Sequence, residues 1–203
     1  MPDYRLAPEF PYPAAVDDAQ AVYKGIIEGG SAPESVMLAG DSAGGGLAAA
    51  LIVRAKAAGD PMPAGAFLLS PELDLCLEDC SISDNVDSDI LPREIPTSEY
   101  LGGADPLNPE ISPVYADLKD FPPMLLTAGE GERFRDSIRR FARKADAAGC
   151  DVRYIEGRKM FHGYQIIMPQ VSESKSAMTQ LQLFSEELSC RPAIGDVDQG
   201  LAG

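Results

Sequence analysis

Apolar positions along the chain recur in two rhythms: short unbroken runs, and a spacing of three to four residues. The runs Val36-Met37-Leu38-Ala39, Ala66-Phe67-Leu68-Leu69, Pro123-Met124-Leu125-Leu126-Thr127 and Val152-Arg153-Tyr154-Ile155 predict buried strands. Between them lie helical patterns. Ala14, Ala15, Ala19, Val22, Tyr23 and Ile26 predict a helix from Pro13 to Glu28, stopped by Gly29-Gly30. The Ala-rich stretch from Gly44 to Ala58 predicts a buried helix ending at Gly59. Asp136 to Ala148 is amphipathic, with Ile138, Phe141 and Ala145 inward and Arg139, Arg140, Arg143 and Lys144 outward, and Gly149 follows as its cap. A closing helix is predicted from Ser174 to Leu188. Strands alternating with helices predict an α/β fold with a mostly parallel sheet flanked by helices.

Two stretches escape this pattern. Residues 75–122 are rich in Asp, Ser and Pro and too long for a simple connection, so they predict either a substrate-binding wall or an irregular surface excursion with a short helix. Residues 191–203 predict a disordered tail.

Composition narrows the function. The 203 residues suit one domain or most of one. A net charge of -15, from 17 basic and 32 acidic residues, argues against nucleic acid or anionic membranes as partners. No run approaches the ~18 apolar residues of a membrane span. The N-terminus does not read as a signal peptide, because prolines at 8, 11 and 13 interrupt it. Cys76, Cys80, Cys150 and Cys190 form no Cys-x-x-Cys pair, and one histidine builds no zinc cluster. Free thiols, a reducing cytoplasm and no metal are the expectation.

Gly40-Asp41-Ser42-Ala43-Gly44 fits Gly-x-Ser-x-Gly. An apolar strand precedes it and a long apolar helix follows, the setting of a nucleophile elbow. The helix N-terminus directs amide groups at the reacting centre, so the N–H of Ala43 is a candidate oxyanion donor. Serine needs a base to take its proton, and the sole imidazole is His162, in a loop past the fourth strand. Its ordinary pKa suits that role near neutral pH. A carboxylate past the third strand would complete the order Ser, acid, His. Glu130, Glu132 and Asp136 are the candidates, and spacing does not choose among them.

These motifs, with Asp3-Tyr4-Arg5-Leu6-Ala7-Pro8-Glu9, Ser70-Pro71-x-x-Asp74-Leu75, Ser112-Pro113, Pro122-Pro123 and Phe161-His162-Gly163-Tyr164, resemble the hormone-sensitive-lipase family of α/β-hydrolases, the bacterial-type carboxylesterases. The resemblance runs from Asp3 to Leu188. It implies the α/β-hydrolase fold, with residues 1–190 as a partial catalytic domain. It places the acid at Glu132, with Asp136 at a second acidic position of the motif, and makes Asp41 and Asp74 structural. It implies small carboxylic esters of short to medium acyl chain as substrates, and no cofactor. One departure stands out. The family's His-Gly-Gly-Gly segment, which supplies further oxyanion donors, cannot be present, because the one histidine is His162. By the same resemblance, the family's early strands and cap are not expected within this chain. An N-terminally truncated hydrolase is therefore expected, exposing a sheet edge through which it would self-associate. The alternatives are a non-catalytic relative that binds a small ligand or partner, or a hydrolase of lactones or amides.

Overall fold

A computed structural model describes residues 2–190; the predicted tail lies outside them. Four strands form one sheet: β1 (Met37–Asp41), β2 (Gly65–Leu69), β3 (Met124–Gly129) and β4 (Val152–Gly157). They lie in the order β1-β2-β3-β4, every pair parallel. Parallel neighbours need crossovers, and helices supply them. α1 (Ala14–Glu28) precedes the sheet, α2 (Ala43–Ala58) joins β1 to β2, and α5 (Arg135–Ala147) joins β3 to β4. The short α3 (Cys80–Asp84) and α4 (Ser98–Leu101) sit between β2 and β3, and α6 (Tyr164–Ile167) and α7 (Ser172–Ser189) follow β4.

Side-chain alternation sorts the core onto two faces. On one, Ala66, Leu68, Met124, Leu126 and Ala128 meet Ala48, Ala49 and Ile52 of α2 and Ile138, Phe141 and Ala145 of α5. On the other, Phe67 and Leu125 meet Phe184 and Leu188 of α7. The Phe67 and Phe184 rings pack edge to face, 5.4 Å apart. Burying each Leu or Phe side chain contributes roughly 1.5–3 kcal/mol. α2 is apolar all round because it is covered on both sides: the sheet lies beneath it, and Ala19 and Tyr23 of α1 pack on Leu51. It ends at Gly59, whose φ of +69° is a left-handed cap.

The expected elements and the observed ones differ mainly at their ends. β1 runs on through Gly40-Asp41 and β4 through Glu156-Gly157, because main-chain pairing continues past the apolar run. The 75–122 stretch divides in two. Its second half is core: Ile111, Val114, Ala116, Leu118 and Phe121 are buried, and the Ser112 hydroxyl accepts the Leu75 N–H at 2.9 Å. Its first half folds over the C-terminal ends of the strands, with Ser81 Oγ donating to the Arg133 carbonyl at 2.7 Å. Asp74 is buried among Arg140, the Tyr115 hydroxyl and the Cys76 N–H, which marks it as a structural acid. Asp41, by contrast, is exposed.

Candidate active site

Ser42, Ser70, Glu132 and His162 each stand just past the C-terminal end of a successive strand, so the parallel register gathers them on one rim of the sheet. Open α/β sheets place their ligands at this end.

Ser42 occupies the turn from β1 into α2 with φ 53° and ψ -125°, a conformation that costs a non-glycine residue on the order of 1–3 kcal/mol. The surroundings enforce it. The Ser42 N–H donates to the Leu69 carbonyl at 2.9 Å, and the Ser42 carbonyl accepts the N–H groups of Gly46 and Glu72 at 3.1 and 3.0 Å. Glycine is required at 40, where a Cβ would lie 2.2 Å from the Gly44 carbonyl oxygen, and at 46, where it would lie 2.3 Å from that of Glu72. Gly44 itself has nothing within 4 Å of such an atom, so the motif's second glycine yields its space to Gly40 rather than using it. As the first residue of α2, Ala43 has an N–H with no intrahelical acceptor, and the residue is exposed toward solvent.

Residues 42 and 162 meet. His162 Nε2 lies 2.8 Å from Ser42 Oγ, and Nδ1 lies 3.0 Å from Glu132 Oε1. With Nδ1–H donating to the carboxylate, Nε2 is free to accept the serine proton. His162 is 6% exposed and Glu132 is fully buried. Phe134 stands edge-on to the ring, centroids 5.3 Å apart. Burial works to lower the imidazole's pKa. The hydrogen bond and charge of Glu132, with Asp89 and Glu72 behind, outweigh it and hold the group above the ordinary histidine value. A buried carboxylate is tolerable only when hydrogen-bonded, and Glu132 Oε2 accepts the Gly129 N–H at 2.7 Å and the Ser70 hydroxyl at 2.9 Å.

The other acids do not reach the imidazole. Asp136 faces away: its carboxylate accepts the Ser81 N–H at 3.0 Å and pairs with Arg135 and Arg139. Glu130 is exposed and accepts the Lys159 N–H at 2.8 Å.

Two residues given no site role by the sequence support the cluster. Ser70, with φ 45°, donates to Glu132 and accepts the Gly163 N–H at 3.1 Å. Asp89, from the first half of the 75–122 stretch, accepts the N–H of His162 and that of Arg133, both at 2.8 Å. One carboxylate thus ties the loop of the base to the loop of the acid. Ser70 carried a signal, since it opens the Ser-Pro motif; Asp89 carried none, being one more acid in a stretch full of them.

A cavity of about 190 Å³ opens beside Ala43, lined by Leu47 and Ala50 of α2, Leu75, Ile111, Tyr100 and Glu72. Among the described residues no group of three His, Cys, Asp or Glu side chains could hold a metal ion, and no helix is long and apolar enough to cross a membrane.

Residues 1–166 match the family model described as alpha/beta hydrolase fold. An acetyl-hydrolase of Streptomyces hygroscopicus is 39% identical over 179 residues, covering 86% of this chain and 60% of that protein. An esterase of Acinetobacter venetianus is 35% identical over 191 residues, covering 92% and 63%. The chain therefore spans about three fifths of the length of these curated relatives. Among solved structures, a hormone-sensitive lipase from a metagenome library superposes with a TM-score of 0.86 at 39% identity, covering 92% of this chain and 65% of that one. The structure of EstE5 soaked with p-nitrophenyl butyrate gives 0.87 at 37% identity, covering 92% and 64%.

Proposed function

Because the chain belongs to the α/β-hydrolase family, in its hormone-sensitive-lipase branch, we propose that the protein hydrolyses small carboxylic esters through an acyl-enzyme on Ser42. The observation that carries this reading is the unbroken hydrogen-bonded relay from Ser42 Oγ through His162 to Glu132, at 2.8 and 3.0 Å. Ser42 Oγ attacks the ester carbonyl while His162 Nε2 takes its proton. The ester C–O bond then breaks, and the imidazolium returns the proton to the departing alcohol. Water, deprotonated by the same nitrogen, attacks the acyl group and releases the acid and free Ser42. Glu132 keeps Nδ1 protonated and stabilises the imidazolium. The Ala43 N–H faces the developing oxyanion; each such donor is worth about 10²–10³ in rate.

The relatives carry the names acetyl-hydrolase and esterase, and a cavity of about 190 Å³ is below the roughly 300–1,000 Å³ of sites for drug-sized ligands. Short to medium acyl chains fit both. The cysteines of the described residues are free thiols, which suits a reducing compartment, so we place the reaction in the cytoplasm.

The test is turnover of p-nitrophenyl butyrate by the intact protein, with active-site labelling by a fluorophosphonate. Ser42→Ala is expected to lower kcat by more than about 10⁴ and to abolish labelling with no loss of folded structure. A folded protein that keeps its turnover without Ser42 would overturn the assignment.

A further inference from the structure

Three charged residues line the cavity beside Ala43: Arg5, Glu72 and Glu110. Two are engaged within the fold. Arg5 grips Asp18, with Nη2 to Oδ1 at 2.7 Å and Nε to Oδ2 at 2.9 Å. Glu110 accepts from Arg54 Nε at 3.0 Å and Nη2 at 2.6 Å, and from the Tyr12 hydroxyl at 3.0 Å. Glu72 is different. Its side chain makes no hydrogen bond or ion pair with any of the described residues.

Nor is Glu72 a loose surface acid. Its N–H donates to the Ser42 carbonyl, and its own carbonyl fills the space that a side chain at Gly46 would take. Its Cα is therefore fixed to the backbone of the elbow, and the residue lines the same cavity as Ala43. The groups around it are the His162 imidazole, whose charge acts on it, the half-buried Tyr100, and Glu110. Arg5, a cation that also lines the cavity, is already paired with Asp18. Burial pushes the Glu72 carboxyl up to about 7, against the opposing pull of His162. A half-buried carboxylate without a hydrogen-bond partner among the described residues is costly to the protein alone. A cation entering the cavity would remove that cost.

We propose that Glu72 makes this cavity a cation-recognising subsite, so that the protein prefers esters bearing a positively charged ammonium group near the scissile bond. This inference rests on the ester-hydrolase reading and names the substrate class within it. The charge would be bound by Glu72 as counter-ion, with the Tyr100 ring offering an aromatic face.

The experiment separates the two claims. Calorimetric titration of the intact protein with choline, and with its uncharged isostere 3,3-dimethylbutan-1-ol, reads recognition without turnover. Choline is expected to bind at least about tenfold more tightly than the isostere, and Glu72→Gln to erase most of that preference. In the unmodified protein the preference should grow as pH rises through 7, as Glu72 ionises, so the result does not depend on a variant folding. Kinetics then use matched pairs. Butyrylthiocholine is set against S-(3,3-dimethylbutyl) thiobutyrate, and a betaine aryl ester against the 3,3-dimethylbutyrate. In one pair the charged-to-neutral ratio of kcat/KM should fall about tenfold in Glu72→Gln. Equal binding of choline and its isostere, or a ratio that Glu72→Gln leaves alone in both pairs, overturns the subsite while the hydrolase stands. Choline preference without turnover of any ester retains the subsite and sinks the hydrolase.

Discussion

The acid–base half of the site and the nucleophile half are held by different means. Glu132 follows β3, a strand whose six residues are all buried between two neighbours and two helical layers. The carboxylate is fully buried and ligated by Gly129, Ser70 and His162. Ser42 follows β1, which among the described residues has a strand on one side only and leaves Ala39 and Asp41 exposed. There the geometry comes from the backbone: a left-handed φ, a glycine pressed against a carbonyl, and hydrogen bonds to the Ser42 carbonyl. A buried charge is secured by its partners, and a strained turn is secured by steric exclusion. The two halves should therefore fail differently when altered.

The largest difference is expected at the acids. Glu132→Ala should lower kcat for p-nitrophenyl butyrate by about 10³–10⁴. Asp136→Ala, whose carboxylate never meets the imidazole, should stay within about threefold; equal losses would break the distinction. Next comes the sheet. Leu126→Ala in β3 should cost about 2–5 kcal/mol of unfolding free energy in urea titration. Ala39→Ser on the exposed side of β1 should cost no more than about 0.5 kcal/mol. A smaller effect should follow Asp89→Asn, which retains one acceptor for the two N–H groups that Asp89 now holds. A loss of about tenfold in kcat is expected, with a displaced pH profile. His162 must be neutral to accept the serine proton, so activity falls as pH drops through its pKa. Because that pKa is raised above 6.5, the acid limb lies above the ordinary histidine position. Removing the Asp89 charge should move the limb down, toward lower pH. A role confined to folding would lower activity and leave the limb in place.

What was legible in the sequence follows the same division. Central strands announce themselves because both faces are buried, so Leu68, Leu69, Leu125 and Leu126 form unbroken apolar runs. The end of β1 did not, since Gly40 and Asp41 pair through main-chain atoms regardless of side chain. Ser42 and His162 were readable from residue type and chain order. Choosing Glu132 over Asp136 required the resemblance, because both follow the same strand and the choice is made by which one turns inward. Asp89 and Glu72 were unreadable. One acts 73 residues away from His162, and the other is singled out by having no hydrogen-bond partner for its side chain among the described residues; neither property leaves a mark on local spacing.

The parallel register has a consequence for how this protein can be handled. Leu69 stands opposite Thr127, and Gly129 opposite Gly157, so the rim residues are aligned by pairing over whole strands. A slip of two residues between neighbours would keep every side chain on its proper face while displacing the rim by about 6.6 Å. Circular dichroism would scarcely notice, but no contact of 2.8 Å could persist. Recovery of serine reactivity after dilution from denaturant would thus score renaturation yield more strictly than any measure of secondary structure.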